Sequence, residues 1–247
     1  MIPAVDVVIP AHNPDERDLR AALNSLRHVH GLNRIIIVDD GSAARIHPPR
    51  RVGRTPVVSV RVAKQEGAAA ARMTGARISS ADCVLFMDAD DALSDGSVTE
   101  AAAALLSSGY ALCHLPVWPN PVYSWWVEHA EFRNLWGRIA RDLAGGMLWV
   151  RTRFIACGGF PTDAIYHEHG GEDMVLAQAA AEAGVYGPRG ADTPMYAYTV
   201  RQGSRDYEMI RRALRKEPPP DWYTPALMAK NDAIRAALVE RLKSTAV

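Results

Sequence analysis

Cysteine is scarce in this chain of 247 residues, with three in all. Cys83, Cys113 and Cys157 are widely spaced and odd in number, and Cys83 lies inside an apolar run, which argues against a disulfide framework. We therefore expect three reduced cysteines in the protein core and a cytoplasmic location.

An excess of either charge is also missing, because 28 lysines and arginines stand against 28 aspartates and glutamates. This balance is not typical of a surface that binds nucleic acid, so we expect no nucleic-acid partner. No apolar run approaches the roughly 20 residues that span a bilayer, and no basic and apolar leader precedes the first apolar segment. We expect no transmembrane helix, and peripheral contact with a membrane stays open.

Short apolar runs alternate with segments of helical spacing up to about residue 115. The predicted strands are Val5–Ile9, Arg34–Val38, Pro56–Val62, Cys83–Met87 and Tyr110–Leu115. This alternation indicates an α/β domain with a mostly parallel, doubly wound sheet flanked by helices. Such sheets bind ligands at the carboxyl ends of their strands, so the segments that follow the strands are expected to share one rim.

The first helix has a clear predicted start. Asn13 can cap it, Pro14 suits its first position, and Glu16 stands three residues after the cap as in a capping box. The predicted buried stripe of this helix consists of Leu19, Leu23 and Leu26.

From about Pro116 the chain becomes rich in aromatic residues. These are Trp118, Tyr123, Trp125, Trp126, Phe132 and Trp136. Two interpretations stay open: packing over one face of the sheet, or a wall that binds a substrate. Further on we predict a strand over Met147–Val150, a helix that opens near Gly171, and a last helix from about Pro225 to Lys243 that packs on the domain or on a second copy of the chain.

Asp88, Asp90 and Asp91 stand together directly after the apolar run Cys83–Met87. Three carboxylates at the exit of a buried strand repel one another unless a cation neutralises them. Magnesium and manganese prefer oxygen ligands, and they commonly bind one or two carboxylates together with substrate phosphates. The cluster therefore predicts metal-bound phosphate chemistry. The alternative is that Asp91 or Ser94 caps a following helix.

Three other segments carry candidate groups. Asp39 leaves a strand beside a second aspartate, where it can bind a base or a ribose or simply hold a turn. Arg72 lies in an alanine-rich helix, where it can bind phosphate or lie in solvent. Glu172 and Asp173 open a helix, whose macrodipole favours carboxylates there with or without catalysis. The functional interpretation of that pair is a general base.

Six segments in this order resemble glycosyltransferase family two, the inverting enzymes of the GT-A fold. They are Val7–Asn13, Ile37–Ser42, Gly67–Gly75, Phe86–Asp91, Cys157–Phe160 and Gly171–Asp173. The resemblance covers roughly residues 5–205. It implies a catalytic domain over residues 1–205, with a nucleotide-binding half at 1–115 and an acceptor-binding half at 116–205. A helical extension would follow at 206–247.

The resemblance also implies residue roles. The residues implied to contact the nucleotide are Pro10, Ala11, His12, Asn13, Asp39, Arg72, Asp88 and Ala89. Among them, Asp39 would contact the base and Asp88 the ribose.

The chemistry that the resemblance implies is carried by four carboxylates. Asp90, with Asp91 close by, would hold Mn²⁺ or Mg²⁺ against the donor diphosphate, where the metal acts as a Lewis acid. Asp173 would deprotonate the acceptor hydroxyl, with Glu172 orienting Asp173 or the acceptor. A single displacement then inverts the anomeric carbon.

Near the end of this region the chain departs from the family pattern. Many members place a histidine where this chain has Arg201 and Gln202. Either Arg201 binds phosphate directly, or His167 or His169 completes the metal site, and both alternatives stay open.

These observations predict an inverting, metal-dependent transferase. The expected donor is a nucleoside diphosphate sugar, namely a UDP-sugar, and the expected acceptor is a hydroxyl of a sugar, a lipid-linked molecule or a small molecule. The alternative function is a non-catalytic nucleotide-sugar-binding subunit of the same fold. Whether the chain forms a homodimer stays open.

Overall fold

A computed structural model of the chain describes residues 2–188, 194–221 and 223–245, without the side chains of residues 167–169. A seven-stranded sheet forms the centre of this part of the chain. In spatial order its strands are β4 (Arg51–Val52), β5 (Thr55–Arg61), β3 (Leu32–Asp39), β1 (Val5–Ala11), β6 (Cys83–Phe86), β11 (Met147–Val150) and β9 (Leu112–His114).

The middle of this sheet is parallel. Strands β5, β3, β1 and β6 run in one direction, whereas β11 is antiparallel to both β6 and β9, and β4 is antiparallel to β5. The five strands predicted before residue 115 and the one predicted over Met147–Val150 are all present. The predicted α/β class with a mostly parallel sheet is therefore confirmed.

Two smaller sheets lie beside the large one. The first pairs β10 (Val117–Asn120), β12 (Tyr196–Thr199) and β7 (Ala92–Leu93), and the second pairs β2 (Val29–His30) with β8 (Gly96–Ser97). Since β7 follows Asp91 directly, the first small sheet ties the aspartate cluster to a strand about a hundred residues later in the chain.

Helices cover both faces of the large sheet. Those of the described residues are α1 (Glu16–Ser25), α2 (Ala68–Ile78), α3 (Thr99–Ser108), α4 (Ser124–Val127), α5 (Phe132–Asp142), α6 (Arg151–Ala156), α7 (Ala164–His169), α8 (Glu172–Glu182), α9 (Arg205–Leu214) and α10 (Pro225–Ser244).

The central strands are buried on both faces. Along β3, Ile35 and Ile37 belong to one apolar layer, and Ile36 and Val38 belong to the other. Because side chains of a strand alternate between the faces of a sheet, a strand covered on both sides consists of apolar residues throughout. This double burial explains why the central strands appear in the sequence as continuous apolar runs.

Helix α2 lies unusually close to the sheet. A Cβ atom on Gly75 would stand 2.3 Å from Cγ1 of Val8 on β1, far inside van der Waals contact. The neighbouring alanines Ala71 and Ala76 are buried on the same side. The small residues of this helix thus allow its close approach, and they place Arg72 beneath the rim of the sheet.

The predicted cap of α1 is wrong. Asp15 caps the helix, because its Oδ1 accepts hydrogen bonds from the backbone N–H of Arg17 (2.8 Å) and Asp18 (3.2 Å). Asn13 has a φ of 45°, and its Oδ1 instead accepts from the backbone N–H of Ala43 at 2.8 Å. The predicted stripe is buried as expected, with Leu19, Leu23 and Leu26.

The predicted alternative role of Asp91 or Ser94 as a helix cap is also wrong. The short strands β7 and β8 follow Asp91, and the next helix, α3, begins only at Thr99. Asp91 therefore caps no helix, and its burial needs another explanation.

The aromatic segment packs mainly as core. Trp126, Phe132 and Trp136 are buried, and the rings of Trp126 and Phe132 stack with their centroids 5.5 Å apart. Trp136 donates from Nε1 to the carbonyl of Val117 at 2.9 Å, which satisfies its one polar group. Trp118 is the exception, with 41% of its surface exposed.

Helix α10 packs on the domain. Leu238, Val239 and Leu242 are buried in the apolar layer that also contains Val175 and Leu176 of α8. This confirms the first of the two packings expected for the last helix. Within the described residues, no helix is both long and apolar enough to cross a membrane.

The three cysteines are free and buried, as predicted. Burial raises the pKa of the Cys83 and Cys113 thiols to about 12, so neither carries thiolate character near neutral pH. Cys83, Cys113 and Cys157 are therefore structural residues of the core.

Candidate active site

The carboxyl ends of β1, β3 and β6 bring the predicted segments to one rim. Ala11 and Asp39 are register partners at the ends of β1 and β3, and the backbone N–H of Asp40 donates to the carbonyl of Ala11 at 2.8 Å. His12 contacts the carbonyl of Asp40 through Nδ1 at 2.7 Å. The segment Asp88–Asp91 follows the adjacent strand β6, so the predicted rim exists.

The implied nucleotide-binding positions on β1 differ in exposure. Pro10 and Ala11 are buried in the strand, so their backbone is what they can offer to a ligand. His12 and Asn13 are exposed on the rim, and Ala89 on the neighbouring segment is half-buried. Contact of these residues with a nucleotide stays a prediction.

Asp39 is deeply engaged within the protein. Its carboxylate accepts from the backbone N–H of Ser42 at 2.9 Å and of Ile46 at 3.3 Å, and from Nη1 of Arg61 at 3.1 Å. Burial raises the pKa of Asp39, but the bonds from Ser42 and Ile46 and the charge of Arg61 outweigh burial and hold the pKa below its ordinary value. Asp39 thus shapes the loop after β3, and its implied contact with a base stays a prediction.

Asp40 has a role that sequence reasoning missed. Its two carboxylate oxygens accept from the backbone N–H groups of Glu66 and Gly67, each at 2.8 Å, and so fix the segment that leads into α2. The close contact depends on Gly41, which has a φ of 66° and whose Cβ would stand 2.6 Å from the backbone nitrogen of Gln65. The pair of aspartates therefore builds the rim.

Arg72 is buried and bridges the two halves of the site. Its Nη2 donates to Oδ1 of Asp88 at 2.6 Å, and its Nη1 donates to Oε1 of Glu172 at 3.3 Å. The guanidinium also lies 5.2 Å from the ring centroid of Phe160. Burial alone would lower the pKa of Arg72, but Asp88 and Glu172 raise it above its ordinary value. The alternative of a solvated arginine is wrong.

Asp91 holds the aspartate segment in place. Its Oδ2 accepts from the hydroxyl of Tyr196 at 2.5 Å, and its Oδ1 accepts from the backbone N–H of Thr199 at 2.6 Å. The same Tyr196 oxygen accepts from the backbone N–H of Asp88 at 3.0 Å. Burial, followed by the charge of Asp88, raises the pKa of Asp91 well above its ordinary value. Both oxygens of Asp91 are thus committed to β12 of the first small sheet.

Asp90 points to the solvent side of the rim and meets Arg201. Arg201 donates from Nη1 to Oδ2 of Asp90 and from Nη2 to Oδ2 of Asp18, the latter at 2.6 Å. The side chains of Asp90 and Arg201 are 33% and 52% exposed, so this contact is open to competition by ligands. The chain thus places a guanidinium beside the carboxylate that is implied to bind metal.

The carboxylates of the segment Asp88–Asp91 suit a metal ion that takes most of its ligands from substrate phosphate and water. Asp90 and Asp88 retain partly exposed carboxylates, whereas Asp91 is buried and both of its oxygens accept hydrogen bonds. Among the described side chains, no group of three or more His, Cys, Asp or Glu could enclose an ion. One or two carboxylates fit Mg²⁺ or Mn²⁺ that takes its other ligands from phosphate and water. His167 and His169, the alternative ligands, lie outside the described side chains.

Glu172 and Asp173 open α8 as predicted. Asp173 accepts from the backbone N–H of Ala144 through Oδ2 at 3.0 Å and from that of Met174 through Oδ1 at 2.9 Å. Burial, followed by the charge of Glu172, raises the pKa of Asp173 to about 7, although Arg72 and the two backbone bonds oppose the rise. A carboxylate with a pKa near neutrality is suited to act as a general base.

A cavity of about 840 Å³ opens onto these carboxylates. Its lining includes Glu172 and Asp173 as well as Gly67 at the start of α2. From there it extends to residues of α5, α9 and α10. Tyr198 on β12, which was not singled out as a site residue from the sequence, also lines it, and its hydroxyl donates to Asp206.

Comparison with known proteins gives a family match over most of this region. The model of Glycosyl transferase family 2 matches residues 6–165. An N-acetylglucosaminyltransferase of Bradyrhizobium elkanii is 34% identical over 106 residues, which is 40% of this chain and 58% of that protein. Polypeptide N-acetylgalactosaminyltransferase 8 of Drosophila melanogaster is 28% identical over 155 residues, which is 60% of this chain and 25% of that protein. The chain thus spans little more than half of the first relative and a quarter of the second.

Solved structures match nearly the whole chain. Residues 1–349 of S. aureus TarS in complex with UDP-GlcNAc share 16% identity with it at a TM-score of 0.55, over 98% of this chain and 73% of that one. The same protein in complex with UDP shares 15% identity at a TM-score of 0.55, over 98% and 72%. At this identity the likeness concerns the fold.

Proposed function

The chain belongs to glycosyl transferase family 2, and from this premise we propose that it is an inverting transferase that moves a sugar from a nucleoside diphosphate sugar to a hydroxyl acceptor. Its fold is the GT-A fold. The observation that carries the proposal is the buried Arg72, which joins Asp88 at the exit of β6 to Glu172 beside Asp173. One guanidinium thereby holds the donor side and the acceptor side of the site in a single arrangement.

Asp173 is the proposed general base. It takes the proton of the acceptor hydroxyl while that oxygen attacks the anomeric carbon on the face opposite the leaving nucleoside diphosphate, so the configuration inverts. The hydrogen bonds from Ala144 and Met174 fix the carboxylate for this transfer. General-base assistance of this type contributes about 10²–10⁴-fold to a rate.

A UDP-sugar is the proposed donor. Support comes from the rhizobial relative, which is an N-acetylglucosaminyltransferase, and from S. aureus TarS, whose structures contain UDP and UDP-GlcNAc. The uridine would lie against the rim formed by Pro10–Asn13 and the loop that Asp39 shapes. Asp88, already fixed by Arg72, would accept from the ribose.

The diphosphate is proposed to lie beside Asp90. A divalent ion held by Asp90 and Asp88 would stabilise the negative charge of the leaving group when bound. Arg201 is exposed enough to release Asp90 and bind the phosphate instead. Its planar guanidinium can donate two parallel hydrogen bonds to a phosphate group. Asp91 keeps the segment in position through Tyr196 and Thr199, so we assign it a positioning role.

Titration calorimetry of UDP in the presence and absence of MnCl₂ tests the proposal. Asp90→Ala should remove the metal-dependent part of UDP binding, because the carboxylate nearest the proposed diphosphate position is lost. Asp173→Asn should bind UDP as the wild type does but release UDP from a UDP-sugar about 10²–10⁴-fold more slowly. Asp95→Asn, an exposed residue outside the site, is the control and should change neither.

Two outcomes would lead elsewhere. Absence of binding of any nucleoside diphosphate, with or without metal, would refute the proposed donor class. If the wild-type protein binds a UDP-sugar but does not turn it over, the alternative function, a non-catalytic nucleotide-sugar-binding subunit, would be favoured.

A further inference from the structure

The cavity that holds Glu172 and Asp173 continues well beyond them. Its far part is lined by Tyr223, just before α10, and by Leu227 and Asn231 in the first two turns of that helix. Tyr166 of α7 donates from its hydroxyl to Oδ1 of Asn231 at 3.1 Å, which fixes that end of α10 to the body of the protein. The C-terminal helices therefore supply part of a binding site whose other part contains the proposed base.

One part of the far wall is aliphatic. Helix α5 contributes Leu135 and Ile139, and Leu143 follows it directly, while α9 contributes Met209 and α10 contributes Leu227. Four of the five are only partly buried, and Leu143 is the buried one. Contact between these apolar side chains and water is unfavourable, so the hydrophobic effect favours a ligand whose apolar group covers them.

Polar side chains also line the cavity: Arg138 and Asp142 lie on α5, Arg205 on α9 and Asn231 on α10. Glu172 and Asp173 lie at the reaction end, and Asp206 already accepts a hydrogen bond from Tyr198. A sugar hydroxyl buried against the aliphatic side chains themselves would lack a hydrogen-bond partner, which costs free energy. The cavity volume of about 840 Å³ lies near the upper end of the range for ligand pockets, so it offers room for more than one sugar ring.

We infer that the acceptor is amphipathic: it presents its hydroxyl to Asp173 and seats an apolar group, alkyl or aryl, against α5, α9 and the start of α10. Ile139, Met209 and Leu227 are then specificity-determining residues. This inference rests on the proposed function, since it takes the cavity at Asp173 to be the acceptor site. The helices that follow residue 205 thereby select the acceptor.

Binding of β-glucosides with different aglycones tests the inference. Methyl, butyl, hexyl, octyl and phenyl β-glucoside are titrated into the protein below their micelle concentrations, in the presence of UDP and MnCl₂. Affinity should rise by about four-fold for each methylene that is buried. The hexyl and phenyl aglycones contain six carbons each, so their comparison distinguishes an aliphatic group from an aromatic one.

Polar replacements locate the effect. Leu227→Asn and Ile139→Asn should flatten the dependence on chain length, whereas Leu106→Asn should preserve it, because Leu106 is a 42% exposed leucine on α3 outside the cavity. Equal affinity for methyl and octyl glucoside, no binding of any of them, or an unchanged dependence in Leu227→Asn would overturn the inference. Binding of UDP by the same preparations reports separately on the proposed function.

Discussion

The pH dependence of transfer follows from the environment of Asp173. With a pKa raised from 3.8 to about 7, the carboxylate is mostly protonated below neutral pH and cannot accept a proton there. The rate at limiting donor should therefore fall to about a tenth of its plateau at pH 6 and about a hundredth at pH 5. An aspartate with its ordinary pKa would give a constant rate over the whole range above pH 5.

The assay is UDP release from a UDP-sugar between pH 5 and 9, in buffers of constant ionic strength. Asp173→Asn should lower kcat by about 10²–10⁴-fold, equivalent to about 3–5 kcal/mol of transition-state stabilisation, and the residual rate should lose the acidic limb. Glu182→Gln, at the other end of the same helix, is the matched control and should keep both rate and limb.

Glu172 provides a second perturbation of the same limb. Because its charge raises the pKa of Asp173, Glu172→Gln should move the acidic limb to lower pH. A wild-type profile that stays flat from pH 5 to 8, or an acidic limb that persists in Asp173→Asn, would refute the assignment of Asp173 as the base.

Three further predictions concern the rim and the core. Arg201→Ala should tighten Mn²⁺ binding by about two- to five-fold, since it removes a cation from Asp90. The same change should weaken UDP binding at least about tenfold, because a donor to the phosphate is lost. Calorimetry that shows neither change would contradict the role of Arg201. Asp39→Asn should lower the free energy of unfolding in urea at pH 7 by about 1–3 kcal/mol, because it removes the charge that the buried Asp39 pairs with the partly exposed Arg61. Since folding lowers the pKa of Asp39, the stability that its charge contributes is complete above pH 3.8 and is lost as the pH falls through the pKa of the folded state. A stability difference between wild type and Asp39→Asn that grows in acid would contradict this role of Asp39. Gly75→Ala should lower the free energy of unfolding by about 1–3 kcal/mol, because the added Cβ clashes with Val8. In the control Gly137→Ala the added Cβ meets nothing within 4 Å, so this change should stabilise α5 by up to about 1 kcal/mol. Equal effects of the two changes on thermal unfolding would exclude the close approach of α2.

The sheet and the rim were predictable because their signals are local. Strands such as Leu32–Asp39 are buried on both faces, so an uninterrupted apolar run marks them wherever they occur in the chain. The carboxyl ends of neighbouring parallel strands meet at one edge by geometry alone, which placed Asp39 and Asp88 together before any contact was known.

The partners of individual side chains were not predictable, because they come from distant parts of the chain. Asn13 and Asp15 are equally good caps by type, and the choice falls on Asp15 because Asn13 is held by the loop after β3. Nothing near Asp91 in sequence indicates its bond to Tyr196, which lies 105 residues away. Arg72 likewise lies in a segment typical of a solvated helix, and its burial follows from contacts with Asp88 and Glu172.

The acceptor cavity was the least predictable part of the site. The aromatic segment drew attention because of its composition, yet Trp126 and Trp136 pack in the core. The residues that line the cavity in and just after this segment are Leu135, Arg138 and Ile139, none of them aromatic. A partly apolar face on α10 predicted packing on the domain or on a second copy of the chain, but it did not indicate that the start of the same helix would line a pocket.

The configuration of the product tests the central claim most directly. The anomeric coupling constant in the proton NMR spectrum of the fresh transfer product reports whether the bond to the sugar was inverted. If Asp173 activates the acceptor for a single displacement, an α-linked UDP-sugar must yield a β-linked product. An α-linked product would contradict the account, because retention requires a different course of reaction from the one that Asp173, Arg72 and Asp88 are proposed to support.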